Sequence, residues 1–212
     1  MLRQAISKNS LLLALFAVVV AGSLALTEIG TREQREASLR KVKSKALNEV
    51  IPVNLRDNVL LDDAIDTQDT EYLRLKKPQK IYIARLNGKV TGFIFPTRTP
   101  NGYGGAINSI VGIDTSGNIL GVRVISHAET PGLGDKIELK KSDWILSFNG
   151  KSLNNTEQSR WAVQKDRGEF DQFTGATITP RAVVDSIYKT LQYFNANKKS
   201  LLTAAANPQI AN

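Results

Sequence analysis

Apolar residues fall into three regimes along the 212-residue chain: one continuous run near the start, alternating runs through the middle, and a helical period near the end. From Leu11 to Leu26 the chain is apolar except at Gly22 and Ser23. Counted from Ser10 to Ile29, the run reaches the roughly 20 residues that a membrane-spanning helix needs. A cleaved signal peptide is the competing reading, but the run outlasts an ordinary signal-peptide core, which favours a retained membrane anchor over residues 1–30. Leu39, Val42, Ala46 and Val50 then recur three or four apart within Thr31 to Ile51. That spacing predicts an amphipathic helix packing on a partner or on the following domain, with its basic face near lipid headgroups as the alternative.

The alternating regime begins after a polar stretch. Residues 52–78 carry Asp62, Asp63, Asp66, Asp69 and Glu71 without the glycine and closing glutamate of a calcium loop, and read as a linker or short helix. Lys80 to Leu86 and Lys89 to Phe95 flank Asn87-Gly88, a strong hairpin signal. Asn101-Gly102-Tyr103-Gly104-Gly105 is a glycine-rich bend before Ala106 to Asp114. Ser116-Gly117-Asn118 then turns the chain into Ile119 to Ile125. These segments predict an antiparallel, half-buried sheet and an α+β fold with flanking helices. The amphipathic helix and linker together run over 31–78, the globular domain over 79–196, and a flexible tail over 197–212.

The helical period returns in Val183, Val184, Ile187, Leu191 and Phe194. Thr179 as N-cap and Pro180 at the first helical position predict a start at about Pro180. Just ahead lies Asp171-Gln172-Phe173-Thr174-Gly175-Ala176-Thr177, where Gly175 and Ala176 leave room for a ligand. The helix N-terminus beyond it offers unpaired N–H groups and positive potential, so Thr177 sits at a natural phosphate site. A second loop, His127-Ala128-Glu129-Thr130-Pro131-Gly132-Leu133-Gly134, gathers polar groups where a strand ends. Its histidine, alone in the chain, is by itself more often a surface or packing residue than a ligand.

Composition narrows the chemistry. No cysteine, one histidine and a single methionine exclude disulfides and Cys-ligated clusters, and disfavour a protein-held haem or multi-histidine metal site. Redox work would need an organic cofactor. The net charge of +8 is scattered, aromatics are 7%, and no nucleic-acid-binding motif is present, so no nucleic-acid partner is expected. Near the anchor, Arg32, Arg35, Arg40, Lys41, Lys43 and Lys45 outnumber Arg3 and Lys8, and a plain positive-inside count would put the domain in the cytoplasm.

The stretch Asp171-x-x-Thr174-Gly175-Ala176-Thr177 resembles the flavinylation motif Asp-x-x-Ser/Thr-Gly-Ala-Thr, with threonine where serine is commoner. The run His127-x-Glu129-Thr130-Pro131-Gly132-Leu133-Gly134 resembles the second motif of the same FMN-binding domain family. With the anchor and overall length, the chain is similar to the G-subunit family of Rnf (Rsx) ion-translocating electron-transport complexes. A more distant similarity is to the C subunit of sodium-pumping NADH:quinone reductases. The resemblance implies FMN joined through a phosphoester to Thr177 by a dedicated flavin transferase, with Asp171, Thr174, Gly175 and Ala176 serving recognition and fit. It implies that Glu129, Thr130, Leu133 and Gly134 shape the pocket and His127 orients the loop. Tyr103 either approaches the ring or packs on the sheet, and Arg181 or Lys165 could contact the phosphate. It further implies a single-pass inner-membrane protein with a periplasmic domain, whose partners are the other subunits and the lipid bilayer.

Two other classes remain at this level. One is a hydrolase or transferase with Thr177 as nucleophile, for which His127 or Glu129 would have to be the base. The other is a redox-inactive anchor or assembly subunit.

Overall fold

The computed structural model describes residues 2–206; the end of the expected tail, 207–212, lies outside the described residues. The chain divides into two units, 1–43 and 44–212.

The first unit is helical and belongs to α1 (Leu2–Val50). Its stretch Asn9–Arg32 is 24 residues long and apolar enough to cross a membrane, with none of it buried in the protein. At 1.5 Å per residue it spans about 36 Å, more than a bilayer's hydrocarbon core of about 30 Å. Three hydroxyls within it bond to their own helix: Ser23 donates to the Val20 carbonyl, Thr27 to Ser23 and Thr31 to Thr27. A hydrocarbon solvent offers no other partner, so this arrangement suits a single-pass membrane helix.

The second unit contains a five-stranded antiparallel meander in sequence order: β1 (Ala64–Thr67), β2 (Gln79–Leu86), β3 (Lys89–Gly102), β4 (Gly105–Asp114) and β5 (Ile119–Ser126). The β2–β3 turn has positive φ at both Asn87 and Gly88, as a two-residue hairpin matching strand twist requires. β1 was not expected from sequence. It is four residues long, and its register sets Ile65 against Ile81. The acidic residues around it serve local structure: Asp63 accepts from Arg85 Nε at 2.6 Å, and Asp69 caps the N–H groups of Tyr72 and Leu73.

The sheet is buried on both faces, not one. Ile81, Ile83, Phe93, Phe95, Val111 and Val122 point into a core completed by α2 (Ile178–Ala206) through Val183, Val184, Ile187, Leu191 and Phe194. On the opposite face Tyr82, Ala84, Ile94 and Ile110 pack with Leu47, Val50 and Ile51 at the end of α1. The expected amphipathic helix therefore uses Ala46, Leu47 and Val50, while Val42 stays exposed. Val50 is seated by two glycines paired across β4 and β5, Gly112 and Gly121. A Cβ on Gly121 would stand 2.7 Å from the Val50 carbonyl oxygen, and one on Gly112 would stand 2.5 Å from Val50 Cγ1.

Helix α2 also departs from expectation at both ends. It begins at Ile178, so Thr179 lies in its first turn and is no N-cap. It runs on through Ala206 where a frayed tail was expected, because Leu201 and Ala205 continue the buried stripe and Arg85 Nη2 donates to the Ala205 carbonyl at 2.7 Å. The alanine-rich sequence there favours helix.

The glycine seat predicts that Gly121→Ala lowers stability by about 1–3 kcal/mol, the usual cost of overpacking a close approach. Thermal unfolding of the detergent-solubilised chain checks this, and an unchanged Tm would contradict the seat.

Candidate functional site

The two loops singled out in the sequence meet at the start of α2. Residues 170–173 are held from below by aromatic packing: Phe148 stacks on Phe170 at 4.4 Å, and Trp144 meets Phe173 edge-on at 5.1 Å. Trp144 Nε1 also donates to the Asp171 carbonyl at 2.8 Å. The Ala176 N–H then donates to the Phe173 carbonyl at 3.0 Å, closing a four-residue turn with Thr174 and Gly175 at its tip. Gly175 has φ of 80°, which a type II turn demands of its third residue and which explains glycine there. Asp171 and Thr174 are exposed, and Ala176 and Thr177 half-buried. Thr177 is the residue immediately before the first helical residue, Ile178.

The second loop crosses in front of this turn. Leu133 Cδ2 would lie 3.5 Å from a Cβ on Gly175, ordinary contact. Glu129 is only 5% exposed, yet both of its carboxylate oxygens are used. Oε1 accepts the Gly104 N–H at 3.0 Å, and Oε2 accepts the Thr179 hydroxyl in a short hydrogen bond. One carboxylate thus joins the β3–β4 turn, the second loop and the first turn of α2. Small residues make this possible: a Cβ on Gly102 would lie 2.6 Å from Glu129 Oε1, and one on Gly134 would lie 3.0 Å from Oε2.

His127 closes the second loop. The Glu129 N–H donates to Nδ1 at 3.0 Å, so Nδ1 is an acceptor and the ring proton sits on Nε2, which meets Glu138 Oε1 at 2.8 Å. The loop's two ends are thereby tied across 11 residues.

Between these parts lies a cleft of about 280 Å³ lined by Tyr103, Glu129, Thr130, Leu133, Gly134, Gly175, Ala176, Ile178 and Thr179. Thr177 is flanked by lining residues on either side without lining the cleft itself. His127, Asp171 and Thr174 lie off it. Tyr103, at the tip of the β3–β4 turn, is 70% exposed, so sheet packing is excluded for it. Leu133 and Ile178 are also well exposed, which gives the cleft an apolar rim. A larger depression of about 710 Å³, lined by Asn58, Asp63, Arg85 and Ala205 among others, contains no residue of either loop.

Each candidate base for a Thr177 nucleophile is hydrogen-bonded to a group other than Thr177. Both His127 nitrogens and both Glu129 oxygens face other partners. Arg181 is committed as well: it grips Asp166 with two bonds of 2.6 and 2.7 Å, and that hydrogen bonding holds the Asp166 carboxyl below its ordinary range and the guanidinium above its own. The sequence pattern did not disclose Thr179 as the partner of Glu129, Ile178 as a cleft wall or Glu138 as the partner of His127.

Two family models match the chain: FMN-binding domain over residues 102–192 and RnfG N-terminal region over residues 1–50. The chain is 45% identical over 204 residues to a Pseudoalteromonas atlantica protein named as the G subunit of an ion-translocating oxidoreductase complex, covering 96% of this chain and 95% of that one. Proteins of the same name from Vibrio vulnificus and Pseudomonas aeruginosa are 47% and 46% identical, covering 96% and 94% of each chain.

The joint at Glu129 predicts strong coupling between its carboxylate and Thr179. In a double-mutant cycle of Glu129→Ala and Thr179→Val, denaturant unfolding should give a coupling energy of about 1.5–3 kcal/mol, the range for hydrogen bonds to charged groups. Additivity within about 0.5 kcal/mol would contradict the joint.

Proposed function

The chain belongs to the family of G subunits of ion-translocating oxidoreductase complexes, and from that premise we propose that it carries FMN in phosphoester linkage to Thr177 and relays electrons between other subunits. The observation that carries this reading is the position of Thr177: a half-buried hydroxyl at the mouth of α2, beside an apolar-rimmed cleft walled by the second loop.

The residues present fit such a group. A phosphodiester keeps one negative charge, which the first N–H groups and the dipole of α2 favour. Gly175 and Ala176 leave the approach to Thr177 open, and Tyr103, Leu133 and Ile178 offer apolar surface to a flat ring. Among the described residues that line the cleft, Glu129 is the unfavourable neighbour for an anion. Its charge is already spread over the Gly104 N–H and the Thr179 hydroxyl.

Bound FMN supplies a ring that takes up and releases electrons singly or in pairs. The chain's own residues position and shield it. Glu129 fixes the cleft wall to α2, His127 and Glu138 hold the second loop closed, and the aromatic cluster under Phe173 presents the Thr174–Gly175 tip. That exposed tip, with Asp171 beside it, is the surface a flavin transferase would read. In this reading the anchor lies in the bacterial inner membrane and the domain in the periplasm, so that the modifying enzyme acts there. The covalent bond keeps the cofactor in a cleft open to electron partners.

Thr177→Ala should abolish the flavin fluorescence that stays with the polypeptide through denaturing electrophoresis while leaving thermal unfolding close to wild type; a fluorescent band from the variant would refute the attachment residue. A reporter fused after Asn212 should be active only outside the cytoplasm. Activity inside would restore the orientation given by the charge count.

A further inference from the structure

Among the described residues, Glu129 is the only charged side chain that lines the cleft. It is 5% exposed, so water screens it poorly, and both its oxygens act as acceptors, as those of an ionised carboxylate do. Among the described residues, no lysine or arginine lines the cleft to balance it. The nearest guanidinium along α2, Arg181, is paired with Asp166, and His127 accepts a hydrogen bond at Nδ1, which leaves its ring without a charge. The neutral partners of Glu129, a backbone N–H and a hydroxyl, spread its charge without cancelling it.

We propose that Glu129 sets the cofactor's potential: its buried negative charge holds the midpoint potential of a flavin in this cleft low. The inference rests on the reading that FMN is carried at Thr177. Reduction adds electrons to the ring, and each electron that arrives without a proton adds one negative charge. A fixed anion on the cleft wall raises the free energy of that added charge more than it raises that of the neutral oxidised ring. Glu129 therefore does two things at once. It joins three segments mechanically, and it biases the site toward giving electrons away. A site built to hold electrons would place a cation there instead.

The test uses the full chain, co-expressed with its flavin transferase, purified in detergent and titrated spectroelectrochemically. Glu129→Gln keeps the size of the side chain, its oxygen can still accept from Gly104 and its amide can donate to Thr179, but the charge is gone. Its midpoint potential should rise, with the reduced-to-oxidised ratio at a fixed applied potential increasing about tenfold, equal to about 30 mV for a two-electron couple. Thr130→Lys adds a cation at an exposed lining position without touching the joint, and should raise the potential in the same direction. Glu129→Asp, which keeps the charge, should stay nearer wild type than Glu129→Gln. If Glu129→Gln does not fold, Thr130→Lys decides. Fluorescent, loaded protein whose potential is unchanged or lowered in Glu129→Gln or Thr130→Lys overturns the proposal and leaves the attachment reading standing. A wild-type chain that carries no covalent flavin overturns both.

Discussion

A single buried carboxylate holds the candidate site together. Glu129 accepts from the backbone of the β3–β4 turn and from the hydroxyl of Thr179, and it belongs to a loop closed behind it by His127 and Glu138. Taking a charge out of water is costly, and it is tolerated here because both oxygens are hydrogen-bonded and glycines at 102, 104 and 134 let the backbone come close. The relative positions of Tyr103, Leu133, Gly175 and Ile178, and hence the shape of the cleft, depend on that joint. Removing the carboxylate would leave the buried Thr179 hydroxyl and the Gly104 N–H without this partner.

The rest of the domain serves to present this joint rigidly. The meander is filled on one face by α2 and on the other by the last turn of α1, so β3 and β4 deliver their shared turn from a doubly packed sheet. The paired glycines Gly112 and Gly121 admit Val50 against the sheet surface, a contact that any side chain there would push away. Below the Thr174–Gly175 turn, the Trp144, Phe148, Phe170 and Phe173 rings support its base, and Gly175 supplies a conformation at its tip that a side chain would resist.

Much of the fold was legible in the chain. The hairpin at Asn87-Gly88, the alternating strands and the apolar run from Leu11 to Leu26 follow from local periodicity and turn chemistry, although β3 runs on to Gly102, past the expected end at Phe95. Three features were not legible, for physical reasons. β1 is short and set among acidic residues whose partners, such as Arg85, are distant in sequence. The second covered face of the sheet depends on a helix end that lies far along the chain from the strands it meets. The true start of α2 at Ile178 moved Thr179 from cap to buried partner, because a carboxylate 50 residues away competes for its hydroxyl. Within the site, the residue types of both loops were visible, whereas their contact through Leu133, Gly175, Glu129 and Thr179 exists only in the folded chain.

The central claim, that the joint at Glu129 presents Thr177 for covalent attachment of FMN, is tested most directly by fragmenting the tryptic peptide Gly168–Arg181 from the full chain made with its flavin transferase. That peptide contains Thr174, Thr177 and Thr179, so the fragment series separates them. The account predicts that the added mass of an FMN phosphoester lies on Thr177 alone. The same mass on Thr174 or Thr179, or an unmodified peptide from protein that retains yellow colour, would contradict it.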